Sequence, residues 1–368
     1  MTPASIPLTY SFKTGSCAMK TKVSEKLSAI LSDGIDVHRC AAARALGVLR
    51  TQAATEKLVA SLLDEDPDVR VDAATALATI NDPATAEKLM DNLIGDPESD
   101  VKKAAISALV AMRHKPVVPL LKALVTSRAE DKIAWDEDEF FSSGWDNWDD
   151  IQIAAIKGLA EFGAHEAVPD ILDALSDEEG QDVSETAYLA LARMGPGGAA
   201  ALETIYDSGS ARDHRRIARA VGQSDNPDLE GLRQKLLTHA SDDLRALGLE
   251  NFASDDKQLA ALFADASAKV RARVVRHAGA DNLDLLADMI TDPSPDVRVE
   301  VFKQIAAHPE NFRDKDHIDA VKSTLKGDPM AAKYAALALF ALKGPKVAKG
   351  FTHVLGNAEI PRDFRIGV

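Results

Sequence analysis

Residues Asp66–Ile80 read DPDVRVDAATALATI, and this stretch decides the fold. Asp-Pro-Asp suits a turn running into a helix start, where carboxylates accept from unpaired backbone N–H groups and face the positive end of the helix dipole. Val69, Ala73, Ala76, Leu77 and Ile80 then fall on one stripe of a 3.6-residue period. Alanine dominates that stripe, so a neighbouring helix can approach closely.

The same pattern recurs along the chain. One register earlier, His38–Leu46 is followed by a second helical segment, Thr55–Leu63. One register later, Asp100–Leu109 is followed by Leu120, Leu121, Leu124 and Val125. After an interruption the pattern resumes at Ile151–Leu159, with further copies near Val183, Asp213, Leu244, Val270, Val297 and Ala331. The period is about 31 residues at first and tightens to about 26–27 around Val270 and Val297, which demands short turns. Gly195-Pro196-Gly197-Gly198 and Asp292-Pro293-Ser294-Pro295 punctuate the joins. Self-similarity at this period predicts a solenoid of helix pairs, each burying its stripe only against its neighbours.

Composition agrees. The chain has 368 residues, 46% hydrophobic but only 5% aromatic, which favours closely packed helices over β-sandwiches. Its formal net charge of −15 repels phosphate backbones and disfavours general nucleic-acid binding. Cys17 and Cys40 are the two cysteines, too few for a disulfide framework or a cysteine zinc site. No apolar run approaches the ~20 residues that cross a bilayer, and MTPASIPLTYSFKTGSCAMK lacks the apolar block of a secretory signal. The expectation is a cytoplasmic protein with no membrane partner. Residues 1–20 read as a poorly ordered leader, with Met19 as an alternative start.

Asp-Pro-Asp-Val-Arg followed by Ala-Ala-x-Ala-Leu resembles the HEAT-repeat family, specifically the short HEAT-like repeats of phycobilisome (bilin) lyases. The resemblance covers about residues 22–350 and implies an all-α, right-handed superhelical solenoid of about ten helix pairs. Two blocks of repeats, 21–125 and 151–350, are expected on either side of an insertion at 126–150, with a tail at 351–368. In that family the Val-Arg helix lines the concave side, so Arg70, Lys102, Arg245, Arg271 and Arg298 are expected to start inner-face helices. Gln152, Ser184 and Ala332 depart from the pattern and interrupt any basic ladder.

The insertion, TSRAEDKIAWDEDEFFSSGWDNWDD, holds all three tryptophans, Trp135, Trp145 and Trp148, together with Phe140 and Phe141. Residues 130–150 carry nine carboxylates against Lys132 alone. Either the loop folds back and its aromatic side chains cover an edge of the solenoid, or it is a partner-binding hook of aromatic anchors within a charged rim. A calcium loop is a weak third reading. Asp136 and Asp138 have the spacing, but Phe140 and Phe141 stand where an oxygen ligand and a glycine are needed.

Arginine concentrates in the later repeats: Arg212, Arg215, Arg216 and Arg219, then Arg245, then Arg271, Arg273 and Arg276. Positions three and four apart share a helix face, so the first four form a basic strip, and the family geometry would place these strips on the concave side. Ion pairing with Asp213, Asp242 and Asp243 is one reading. A pocket for a carboxylate- or phosphate-bearing partner is another, and docking of the acidic insertion is a third. The nine histidines are dispersed, with His165-Glu166 the lone His-Glu pair, so neither an HExxH motif nor a di-iron site of the HEAT-type hydroxylase kind is present. Cys40 sits in an alanine-rich helix and reads as a core residue. Gly195–Gly198 is no phosphate loop, since no GK[ST] follows. No catalytic constellation, metal site or cofactor is expected.

A non-catalytic scaffold that grasps a protein partner is therefore the leading reading. By resemblance alone, a bilin-lyase-like subunit could bind a tetrapyrrole, its propionates on the arginine strips. DNA binding on a concave cationic groove is the least supported, given the acidic total.

Overall fold

The structure is a computed structural model and describes residues 16–126, 148–177, 180–249, 256–278 and 282–347. Most of the leader, the tail at 351–368, and Trp135, Phe140, Phe141 and Trp145 of the insertion lie outside the described residues. Among the described residues there are helices and turns but no strand. The architecture is an all-α solenoid.

Two compact units divide within one helix, at Ala201 and Leu202. In the first unit the helices follow as α1 (Ser16–Asp33), α2 (Asp36–Leu49), α3 (Thr55–Ser61), α4 (Pro67–Ile80), α5 (Ala86–Gly95), α6 (Ser99–Ala111), α7 (Val118–Thr126), α8 (Trp148–Phe162), α9 (Val168–Ser176) and α10 (Ser184–Leu191). Helix α11 (Gly195–Ser208) holds the division. The second unit continues with α12 (Ala211–Gly222), α13 (Glu230–Leu237), α14 (Asp242–Gly248), α15 (Asp256–Phe263), α16 (Ala268–His277), α17 (Leu283–Asp288), α18 (Pro295–Ala307), α19 (Lys315–Thr324) and α20 (Pro329–Lys343). In each unit the even-numbered helices pack on one another in sequence, and the odd-numbered ones form a second, more loosely connected row.

Helix α4 shows how the repeat folds. The Asp66 carboxylate accepts from the N–H groups of Asp68 at 2.9 Å and Val69 at 3.2 Å, with Pro67 at the first helical position. Asn81 ends the helix in the left-handed conformation, φ 59°, its N–H returning to the Leu77 carbonyl. Every residue of the anticipated stripe, Val69, Ala73, Ala76, Leu77 and Ile80, is buried. Alanine there lets backbones meet. A β-carbon added to Gly47 of α2 would lie 2.8 Å from the Ala76 α-carbon, inside van der Waals contact. In the second unit Val270, Val274, Val297, Phe302 and Leu339 join Ala331, Ala335 and Ala338 in one buried cluster. Each fully buried valine, leucine or phenylalanine of this kind contributes about 1.5–3 kcal/mol.

Candidate partner-binding face

One position near the start of the even-numbered helices settles where four of the sequence-singled arginines go, Arg70, Arg245, Arg271 and Arg298. The Arg70 guanidinium donates through Nη1 to the Asp64 carbonyl at 2.8 Å, which ties down the loop that leads into its own helix. Its other edge forms a fork with Asp96 of the next repeat, Nε to Oδ2 at 2.8 Å and Nη2 to Oδ1 at 3.0 Å. Arg39 does the same with Gly34 and Asp64, at 3.0 and 2.7 Å. In the second unit Arg245 tethers His239 and pairs with Asp265, and Arg271 tethers Asp265 and pairs with Asp292. Each of these aspartates also accepts from the N–H two residues on, as Asp265 does from Ser267 at 2.8 Å. The donor is therefore a staple between consecutive repeats.

Electrostatics follow from that geometry. The hydrogen bond to Arg245 holds the Asp265 carboxyl below its usual range, against the opposing effect of burial. The carboxylates of Asp265 and Asp292 in turn raise Arg245 and Arg271. Pairs this sheltered matter most when broken, since the survivor is left uncompensated.

Lys102 and Gln152 keep the tether and change the partner, whereas Ala332 has no side-chain donor to make one. Lys102 is fully buried, its Nζ donating to the carbonyls of Leu93 at 3.1 Å and Ile94 at 2.8 Å. Burial lowers its pKa to about 7. Gln152, also buried, donates to the Val125 carbonyl at 2.8 Å and accepts from Gln181 at 2.8 Å. Arg298 tethers the carbonyls of Asp292 and Pro293, at 2.6 and 3.1 Å. Where the next repeat would supply the aspartate, six residues before Ala332, the chain has Lys326.

The ion-pair reading thus holds for Arg245 and Arg271, with different acids from those expected. Asp242 accepts from the Ser267 hydroxyl at 2.8 Å, and Asp243 pairs with Lys269. Arg245 lies three and two residues beyond these acids on the same short helix, and its side chain runs instead toward the loop of the following repeat. The spacing was present in the sequence, since Asp64, Asp96, Asp265 and Asp292 each precede the next staple residue by six.

The other candidates lie elsewhere. Arg212, Arg215 and Arg219 are exposed and Arg216 half-buried on α12, which opens on a capping box between Ser210 and Asp213 and buries Ile217, Ala218 and Val221. Arg273 is half-buried and held below its ordinary range by burial and by Arg276. Arg276 projects from α16 onto Glu300 of α18, Nη2 to Oε1 at 3.0 Å and Nε to Oε2 at 3.2 Å. Trp148, the described residue of the insertion set, opens α8 with its ring in the core, 7% exposed, and its indole N–H unpaired. Cys40 is buried, and burial together with Asp72 pushes its thiol up to about 11. Among the described residues, no group of three or more His, Cys, Asp and Glu side chains could hold a metal ion. No described helix is long and apolar enough to cross a membrane.

Stacked helix pairs stapled loop to loop define an α-solenoid repeat protein. A family model described as HEAT repeats matches residues 24–110, 55–135 and 146–222, together more than half of the chain. The chain belongs to the HEAT-repeat family. No curated protein sequence matches it. Among solved structures, the complex of CpcE and CpcF of phycocyanin lyase from Nostoc sp. is similar at 18% identity and TM-score 0.38, over 74% of this chain and 97% of that one. Human deoxyhypusine hydroxylase in complex with glycerol is similar at 16% identity and TM-score 0.32, over 89% of this chain and 98% of that one. Kap121p bound to RanGTP is similar at 13% identity and TM-score 0.37, over 94% of this chain and 44% of that one. At these identities the likeness concerns the fold alone.

Proposed function

We propose that this chain is an adaptor, a rigid repeat array that holds a protein partner without transforming it. One observation supports the reading above others. The polar side chains at the staple position are spent on backbone carbonyls and neighbouring aspartates, whereas the outward positions of the even-numbered helices, such as Thr75, Ser107 and Lys157, stay exposed on rigid elements. Such a surface suits recognition. The arginine strip on α12 and the aromatic, acidic segment at 126–150 are the contact regions in this reading, with Trp145 as an anchor. Trp148 packs in the core.

Co-purification of tagged full-length protein from its source cells tests the proposal. Trp145→Ala and Arg215→Glu should each deplete the captured partner while circular dichroism stays unchanged. If both variants retain every protein that the parent retains, these contact regions are wrong.

A further inference from the structure

Helix α1 commits little of its apolar surface to the solenoid. From Met19 to its end it buries Ser24 and Leu31, with the Ser24 hydroxyl 3.0 Å from that of Thr51. Met19, Val23 and Ile30 stay 67%, 41% and 41% exposed, and Leu27 is half-buried. These four recur at intervals of four, four and three, so they form one stripe along the helix. Alongside it Leu27, Ile30, Gly34, His38 and Ala41 line a groove of about 540 Å³ between α1 and α2. Ile35 and Val37, where α2 begins, are exposed as well. Repeat arrays keep a polar outer face on their terminal repeats, and the first described repeat presents the opposite.

The charges on α1 are divided along its length. Lys20, Lys22 and Lys26 lie in its earlier turns with Glu25, whereas Asp33 closes it and Asp36 follows. All six are exposed. Lys22, Lys26 and Asp33 stand four and seven residues apart, so they flank the stripe on one side. Such a helix is complementary to itself when turned end for end. A second α1 laid antiparallel along the stripe, with Val23 across from Ile30, sets Lys22 of each copy beside Asp33 of the other. Lys26 meets its own counterpart near the two-fold axis, a like-charge contact that keeps the pair weak.

We propose that α1 pairs with α1 of a second copy of this chain, antiparallel about a two-fold axis, through Met19, Val23, Leu27 and Ile30. The proposal goes beyond the adaptor reading and does not rest on it. A helix of 18 residues is about 27 Å long and covers less than the ~800 Å² per partner of a standard interface, so pairing depends on concentration.

Other occupants fit less well. Residues 1–15 offer Ile6, Leu8, Tyr10 and Phe12, but Lys13, their one charged side chain, has the sign of Lys20, Lys22 and Lys26. An anionic membrane would draw those lysines, yet Glu25, Asp33, Asp36 and the net charge of −15 oppose it.

Sedimentation velocity of the full-length chain provides the test. Monomer at about 1 μM should give way to dimer by about 100 μM, as a contact of this size implies. Ile30→Glu should raise the dissociation constant at least about tenfold with circular dichroism unchanged, because the position is exposed in the single chain. Lys22→Glu and Asp33→Lys should each weaken pairing about threefold, and the two together should restore it. Eleven residues, roughly 16 Å of helix, separate Lys22 from Asp33 within one copy, so the rescue must act between copies. A chain monomeric throughout that range, equal pairing by Ile30→Glu, or no rescue by the double reversal overturns the proposal. Dimers that form only after residues 1–15 are deleted overturn it in favour of the chain's own leader. Recruitment of a monomeric parent to vesicles of anionic phospholipid, lost in Ile30→Glu, overturns it in favour of a membrane.

Discussion

The even-numbered helices of the two units share an inner edge. On the outer one α6 and α8 of the first differ from α16, α18 and α20 of the second, while α2 and α4 of the first pair Arg44 with Asp72 at 2.8 Å in the register of Arg276 and Glu300. Two and five residues beyond the staple position, α6 has Ala104 and Ser107 and α8 has Ala154 and Lys157, whereas α16 has Arg273 and Arg276, α18 has Glu300 and Lys303, and α20 has Tyr334 and Leu337. Between α6 and α8 the small residues leave a groove of about 610 Å³ floored by Ile106, Val110, Ile153 and Gly158. The corresponding strip of the second unit is filled by long cationic and aromatic side chains. The staple position, by contrast, donates to loop carbonyls in both units whether it is Arg, Lys or Gln. The inner edge answers to packing and unpaired carbonyls, and the outer edge is free to carry recognition.

That contrast can be broken experimentally. Arg70→Ala should cost about 3–5 kcal/mol in urea denaturation, because it leaves Asp96 buried without its fork. Arg298→Ala removes only loop tethers, with Lys326 where an aspartate would stand, and should cost about 1 kcal/mol. Equal losses at the two sites would mean that the carboxylate adds nothing to the staple. Gly47→Ala should follow at about 1–3 kcal/mol, since the added carbon meets the Ala76 backbone rather than a yielding side chain.

The remaining expected effect is a gradual pH dependence. Lys102 titrates near 7 in the folded chain and higher when unfolded. Between those values the unfolded state holds the extra proton, so stability rises with pH, by at most about 1.4 kcal/mol per unit. Below the folded value the charged lysine is buried and the full penalty applies. Lys102→Met should therefore show a flatter thermal midpoint than the parent between pH 7 and 10. Identical slopes would show that the ammonium stays hydrated.

Much of this was legible in the sequence. The Asp66 cap, the Val69–Ile80 stripe and the burial of Cys40 follow from local chemistry, because period and capping are properties of one segment. The destination of the arginines was harder to read. Position in the repeat suggested a groove lining, but a guanidinium beside unpaired loop carbonyls turns inward, and its acid lies a repeat away in Asp96, Asp265 or Asp292. The burial of Trp148, which fits the reading in which aromatic side chains of the insertion pack on the solenoid, is also hard to read locally. Its neighbours in sequence are acids, while its neighbours in space are set by the first turn of α8. The column at Glu300, Lys303 and Tyr334 joins different repeats, and no single window of sequence contains it.

The Arg–Asp staple has a polarity. Each guanidinium reaches forward to a carboxylate that heads the following loop, so donor and acceptor of one interlock belong to different copies of the motif. Excising or inserting one whole period, such as the 27 residues from Ala266 to Asp292, would leave each arginine that has a forward acid with an equivalent one. A cut of any other length would strand one. Such an array can lengthen or shorten only in integral steps, like a zip whose teeth must be removed in matched sets.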